Sequence, residues 1–207
     1  MTRIKEQLEL LRKFLKTDFR KMIRWTAIAM VLFTLFSFVV GLVSPVAVEN
    51  ALNAFTNSTL QAGIVDDAGN LLLFPLLANN WRAMIITALY GLAPFIYLPI
   101  MSLALNSALL GVMAGYYQTS GLSLAAFVAG VLPHGIFELP ALVLSVSCGV
   151  YLCRQVSFWF IRYDQRTPIP RVLEDLLRVM LFLVLPLSAA AAVMEVYVTP
   201  AIMGLFL

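Results

Sequence analysis

Long apolar runs separated by short polar stretches dominate this chain. Trp25 to Val43 carries no charged residue, and roughly 20 apolar residues cross a bilayer as one helix. Pro45 ends that run, because proline cannot continue a helix. Val46 to Asn80 is polar, with Asn50, Asn53, Asn57, Asp66, Asp67 and Gly69 and neither Lys nor Arg; it reads as a loop. Ala83 to Tyr117 is apolar again and too long for one ordinary span. It is one very long helix or two helices joined by a tight turn, with Pro94, Pro99 and Ser102 as break points. Leu122 to Leu152 is interrupted by Leu132-Pro133-His134-Gly135, and Leu176 to Leu207 carries Pro186 and Pro200. Ahead of all these, residues 3–24 show Ile4, Leu8, Leu11, Leu15 and Met22 at helical spacing with basic residues between them. That pattern is an amphipathic interfacial helix or stalk, or a charged leader that only sets orientation.

Composition agrees with lipid as the solvent. Apolar residues make up 61% and charged residues 12%, against roughly half and a quarter in soluble domains. The net charge of +3 does not indicate nucleic acid. Eight of the 14 Lys and Arg precede Trp25, and five more (Arg154, Arg162, Arg166, Arg171 and Arg178) flank the last two apolar runs, as membrane-flanking cations do. The basic N-terminus belongs in the cytoplasm, and so does the loop from Arg154 to Arg178. The stretch after Pro45 is then outside, and an odd number of spans must separate it from the arginine loop. Residues 83–117 therefore read as two helices with an inner turn near Pro99 to Leu103. The expectation is an all-α polytopic bundle in the cell membrane. A cytoplasmic basic amphipathic helix at 1–24 precedes a transmembrane domain at 25–207. Its five spans lie at about 25–43, 83–100, 103–118, 122–152 and 176–206, with the N-terminus inside and the C-terminus outside. The first run is too long for a cleavable signal and stays in the membrane as an anchor.

Candidate chemistry is sparse. Ser107, Gly111 and Gly115, each four residues apart, put a flat strip on one helix face where another backbone can approach closely; the partner is another helix of this chain or a homodimer. The ionisable residues inside apolar runs are His134, Glu138 and Glu195, with Asn106 as a further strong polar group. Charge at membrane depth is costly and usually faces a bundle interior. His134 and Glu138 share a helix face at i,i+4. Asn106, His134 and Glu195 each lie roughly twelve residues from the outer end of their runs, hence about 18 Å deep, which suggests one buried polar cluster. Pro133 and Gly135 allow two readings: a break into half-helices whose free N–H groups point inward, or a simple proline kink. One histidine excludes a two-histidine HExxH metal site, and neither a G-x-S-x-G elbow nor a Walker loop is present. Ser145 and Ser147 leave a serine–histidine pair open. Cys148 and Cys153 read as small apolar fillers. No catalytic residue, metal site or cofactor is expected.

Leu132-Pro133-His134-Gly135-Ile136-Phe137-Glu138-Leu139-Pro140-Ala141 resembles the P-H-G-x-x-E-x-x-A signature of the stage II sporulation protein M family. Asn79-Asn80 with Gly91, then Asn106 with Gly111, then Ala190 to Pro200 with Ala191, Glu195, Thr199 and Pro200 are similar to three further segments of that family. Ser107 stands where the family usually has glycine. The resemblance covers roughly residues 70–207. It implies a membrane protein with envelope protein partners, since the sporulation member acts in engulfment as a scaffold for partners that degrade peptidoglycan. The leading expectation is therefore a non-catalytic scaffold in an envelope-remodelling assembly. The alternative is a small-solute or ion transporter, or a channel, built around the His/Glu/Asn cluster. A scaffold needs that cluster dry and paired; a transporter needs it wet.

Overall fold

The computed structural model describes residues 2–161 and 167–206. Arg162, Asp164 and Arg166, at the centre of the expected arginine loop, lie outside them. The protein is an all-α membrane bundle, 85% helical with no strands among the described residues. Helix α1 spans Thr2–Leu15, α2 Phe19–Val43, α3 Pro45–Gln61 and α4 Leu73–Leu89; a 3-10 turn at Tyr90–Leu92 extends α4. Helices α5 (Pro99–Thr119) and α6 (Leu124–Ile161) follow, and α7 covers Ile169–Met203. Helices α2, α5, α6 and α7 are each long and apolar enough to cross a membrane. With its 3-10 turn, α4 reaches about 30 Å by helical rise.

Several boundaries differ from the sequence expectation, each for a local reason. The amphipathic helix expected over 3–24 breaks at Lys16–Asp18. There the Thr17 hydroxyl donates to the Phe14 carbonyl at 2.7 Å, an alternative to the helical ladder that threonine readily offers. The break turns α1 back onto the bundle and buries Leu11 and Phe14. Pro45 ends α2 but also starts α3, as proline suits the first helical position, with Ser44 Oγ accepting from the Ala47 N–H at 3.2 Å. The stretch expected as a loop over 46–80 is thus largely helical. Only residues 62–72 are irregular, tied by Asp66, whose carboxylate accepts from the backbone and side chain of Asn70 and is held below the usual carboxylate range by those bonds.

The span expected over 83–100 begins ten residues earlier, at Leu73, and takes Asn79, Asn80 and Arg82 into the helix. The turn placed near Pro99–Leu103 lies at Ala93–Leu98 instead, and Pro99 opens α5. Phe95 and Tyr97 adopt positive φ there, which costs an aromatic residue of order 1–3 kcal/mol. Helix α6 holds the turn in place: Ser157 Oγ accepts from the Phe95 N–H at 2.9 Å, and Cys153 Sγ donates to the Ala93 carbonyl at 3.2 Å. Of the basic stretch from Arg154 to Arg178, the two ends are helical, with Arg154 on α6 and Arg171 and Arg178 on α7.

Helix directions alternate along α2, α4, α5, α6 and α7. Gly111 and Gly115 of α5 meet Thr34 and Gly41 of α2 in the same order, so these two helices are parallel. Met84 and Gly91 of α4 meet Ser145 and Gly149 of α6, also in parallel. Tyr117 against Phe127 and Pro99 against Gly149 set α5 antiparallel to α6. His134 against Thr199 and Gly130 against Met203 set α7 antiparallel to α6.

The small-residue strip faces α2. Ser107 is 1% exposed, and a Cβ on Gly111 or Gly115 would fall 2.3 or 2.7 Å from α2 backbone atoms. A homodimer through that strip would have to displace α2. At the opposite end of the bundle from α3, Phe14, Phe19 and Tyr151 form an aromatic cluster, and Arg178 binds Gln7 at 2.6 Å and Asp175 at 2.7 Å. Large apolar side chains along α2, such as Val31, Leu35, Phe36 and Val39, remain exposed, which suits lipid.

Candidate functional site

Helix α6 presents His134 and Glu138 one turn apart, with His134 Nε2 3.9 Å from Glu138 Oε2. The half-helix reading of Pro133 and Gly135 does not hold. Helix α6 runs unbroken through Pro133 and Pro140, so no helix N-terminus opens at His134. A proline removes only one N–H, and the rest of the ladder of a 38-residue helix persists around it. Pro133 and Gly135 are both buried. A Cβ on Gly135 would meet nothing nearer than 3.4 Å, so this glycine is not needed for a close backbone approach.

The irregular backbone lies in α7 instead. Two π-helical turns, Met180–Val184 and Met194–Val198, interrupt it. Each lies just before a proline, Pro186 or Pro200. A proline ring crowds the preceding turn and leaves a carbonyl without its donor, and widening that turn by one residue relieves both. The second π turn carries Glu195 and aims it toward α6. One turn on, Thr199 Oγ1 stands 3.3 Å from His134 Nδ1. His134, Glu138 and Glu195 each offer a nitrogen or oxygen atom, and all three atoms lie within 4.8 Å of one another.

These groups line an open-sided cavity of about 520 Å³ bounded by α3, α4, α5, α6 and α7. Asn106 lines it too; it is exposed, and its amide donates to the Ser102 carbonyl at 2.9 Å. Asn79 and Asn80 of α4 join the lining. In the sequence only the family resemblance marks them, since their composition reads as the end of a loop. Asn80 Nδ2 is buried without a hydrogen-bond partner among the described residues. Exposed Ser58, Asn79 and Asn106 stand at the rim. No Lys or Arg is among the lining residues, so the two glutamates have only His134 to offset them. Ser145 and Ser147 are fully buried away from the cavity, donating to the carbonyls of Met84 and Val143 at 2.6 Å each, and neither pairs with His134. Gly111 and Gly115 face α2, Ser107 is buried, and none of the three lines the cavity.

A family model described as stage II sporulation protein M matches residues 26–200. The chain belongs to the stage II sporulation protein M family. An uncharacterized protein of Methanocaldococcus jannaschii is 29% identical over 129 residues, 62% of this chain and 72% of the relative. No solved structure matches the chain. The matched residues include every polar residue of the cavity named above and leave out α1. In this stage II sporulation protein M family protein, the segments that carried the resemblance fold around one volume. Asn79-Asn80, Asn106, the Pro133–Glu138 element and the Glu195–Thr199 turn come from four different helices and meet at the cavity.

Proposed function

We propose that this stage II sporulation protein M family protein admits a small polar solute or ion into the centre of its bundle. The observation that carries this reading is the cavity of about 520 Å³ that reaches His134, Glu138 and Glu195. A scaffold has no need of such a space, since side chains gain more from packing in contact. A transporter or channel needs it, with polar groups at depth. The scaffold role in an envelope assembly that the family resemblance implies remains the second reading. It draws support from the family match, and it would assign the cavity no solute.

The test is Glu138→Gln, which keeps shape and hydrogen bonding while removing a charge. The variant should purify with wild-type monodispersity but fail to complement a strain lacking the gene. Full complementation by Glu138→Gln would support the scaffold reading instead. A companion measurement uses Asn106→Cys at the rim, which should react with a water-soluble thiol reagent; Cys148 and Cys153, both 0% exposed, give a silent background.

The proposed topology has five passes in the cell membrane, with the N-terminus in the cytoplasm and the C-terminus outside. The alternating helix directions support it, as do the basic residues at the α1 end. Single cysteines replacing Asp67, Glu174 and Leu205 report on it. An impermeant maleimide applied to intact cells should label positions 67 and 205 and spare 174. Labelling of 174 from outside would reverse the assignment.

A further inference from the structure

We propose that His134, Glu138 and Glu195 bind one divalent transition-metal cation of the Zn²⁺ class inside the cavity. This deepens the reading of the cavity as a wet solute site and rests on it.

The donor set comes first. One imidazole and two carboxylates are the ligand types that Zn²⁺ takes in open sites, where three protein ligands leave further positions to water or another ligand. Imidazole also favours such ions over Mg²⁺ and Ca²⁺, which select oxygen. The three donor atoms lie within 4.8 Å of one another. Zn²⁺ holds N and O ligands at about 2.0–2.2 Å, so tetrahedral neighbours stand about 3.3–3.6 Å apart. The His134–Glu138 separation of 3.9 Å is within a few tenths of an ångström of that, and glutamate side chains have the torsional freedom to close it.

Orientation is the second observation. Thr199 Oγ1 stands 3.3 Å from His134 Nδ1. With Nδ1–H donating to that hydroxyl, Nε2 carries the free lone pair, and Nε2 is the atom that faces Glu138. A ligating histidine generally has its other ring nitrogen fixed in this way, which sets the tautomer and the ring angle.

Charge is the third. Two glutamates and one histidine occupy a lining that contains no Lys or Arg, so with both glutamates ionised the cluster is negative in either histidine state. Anionic groups at membrane depth are costly without a partner. A divalent cation neutralises both carboxylates at once, and the remaining cavity leaves room for its water.

The test uses the full chain, purified in detergent on a tag without histidine and stripped with chelator. Titration with Co²⁺ should produce visible ligand-field bands that saturate at one ion per chain. Zn²⁺ should displace it, and millimolar Mg²⁺ should not. His134→Ala and Glu195→Gln should each weaken Co²⁺ at least tenfold. Thr199→Val, which removes the positioning hydroxyl without touching the ion, should weaken it by about 10- to 100-fold. If His134→Ala does not purify, Glu195→Gln and Glu138→Gln, which keep size and shape, decide the matter. Absence of Co²⁺ and Zn²⁺ binding to the wild type would overturn the proposal. So would variants that bind as tightly as the wild type, or Mg²⁺ competing equally. If Asn106→Cys labels while no metal binds, the metal site fails and the wet-cavity reading stands. If Asn106→Cys is inert and Glu138→Gln complements fully, both fail.

Discussion

Gly111→Leu and Gly115→Leu are each expected to destabilise the protein by at least about 3 kcal/mol, the upper end of the usual range for overpacking, which corresponds to a fall of about 6–12 °C or more in Tm for a chain of this size. The reason is the identity of the atoms in the way. A Cβ at Gly111 would lie 2.3 Å from the Thr34 carbonyl oxygen and 2.7 Å from the Phe38 nitrogen. At Gly115 it would lie 2.7 Å from the Gly41 carbonyl carbon. These are backbone atoms within a helix and cannot rotate aside as a side chain could, so α2 must move away from α5. Lipid offers no hydrophobic drive to restore the contact, since close packing is what holds helices together in a membrane. The strip is matched from the other side: a Cβ on Gly41 would meet the Val112 carbonyl at 2.6 Å. Leu105→Ala serves as the control, because Leu105 is 65% exposed on the same helix and should change stability by less than about 0.5 kcal/mol. A wild-type melting temperature for either glycine variant in detergent would refute the α2–α5 contact.

Phe19→Ala is expected to cost about 3–5 kcal/mol, a fall of about 6–20 °C in Tm. Phe19 is 0% exposed. It stacks on Phe14 with ring centroids 4.6 Å apart and meets the Tyr151 ring edge-on at 5.7 Å. Phe14 closes the triangle at 5.4 Å from Tyr151. These three rings join α1, the start of α2 and α6, so truncating the central ring opens a cavity and loosens α1 from the bundle together. Phe14→Ala should cost less, since Phe14 retains 7% exposure. The double variant should lose less than the sum of the two, because both lose the same stacking contact. Val31→Ala, at a 54% exposed position on α2, should be close to neutral. Equal melting temperatures for Phe19→Ala and Val31→Ala would show that α1 is not docked as described.

Much of the architecture was legible in the order of residues. An apolar run in lipid has to satisfy its own backbone hydrogen bonds, so Trp25–Val43 and the later runs had to be helical. Charge at depth is too costly to scatter, so His134, Glu138 and Glu195 could be named together before any fold was known. The i,i+4 spacing placed His134 beside Glu138. What went astray followed from reading polar residues as loop. Asn79 and Asn80 look like a loop end by composition, but they lie inside α4, where both line the cavity and Asn79 stays exposed at its rim. Pro133 looked like the breaking point, but α6 absorbs it, while Pro186 and Pro200 widen α7 into π turns. Proline chemistry is the same at all these sites, and only the packing around each decides whether the helix bends, widens or continues.

By itself the sequence determined that the protein is a helical membrane bundle and which few ionisable groups lie within its apolar runs, because hydrocarbon penalises unpaired backbone and charge whatever the arrangement of helices. The tertiary structure alone decided three things: that the glycine strip meets α2, that Glu195 turns toward His134, and that a volume of about 520 Å³ remains among them. A cavity is the space left over after several helices have packed. Its size depends on their crossing angles and separations, which no single segment encodes.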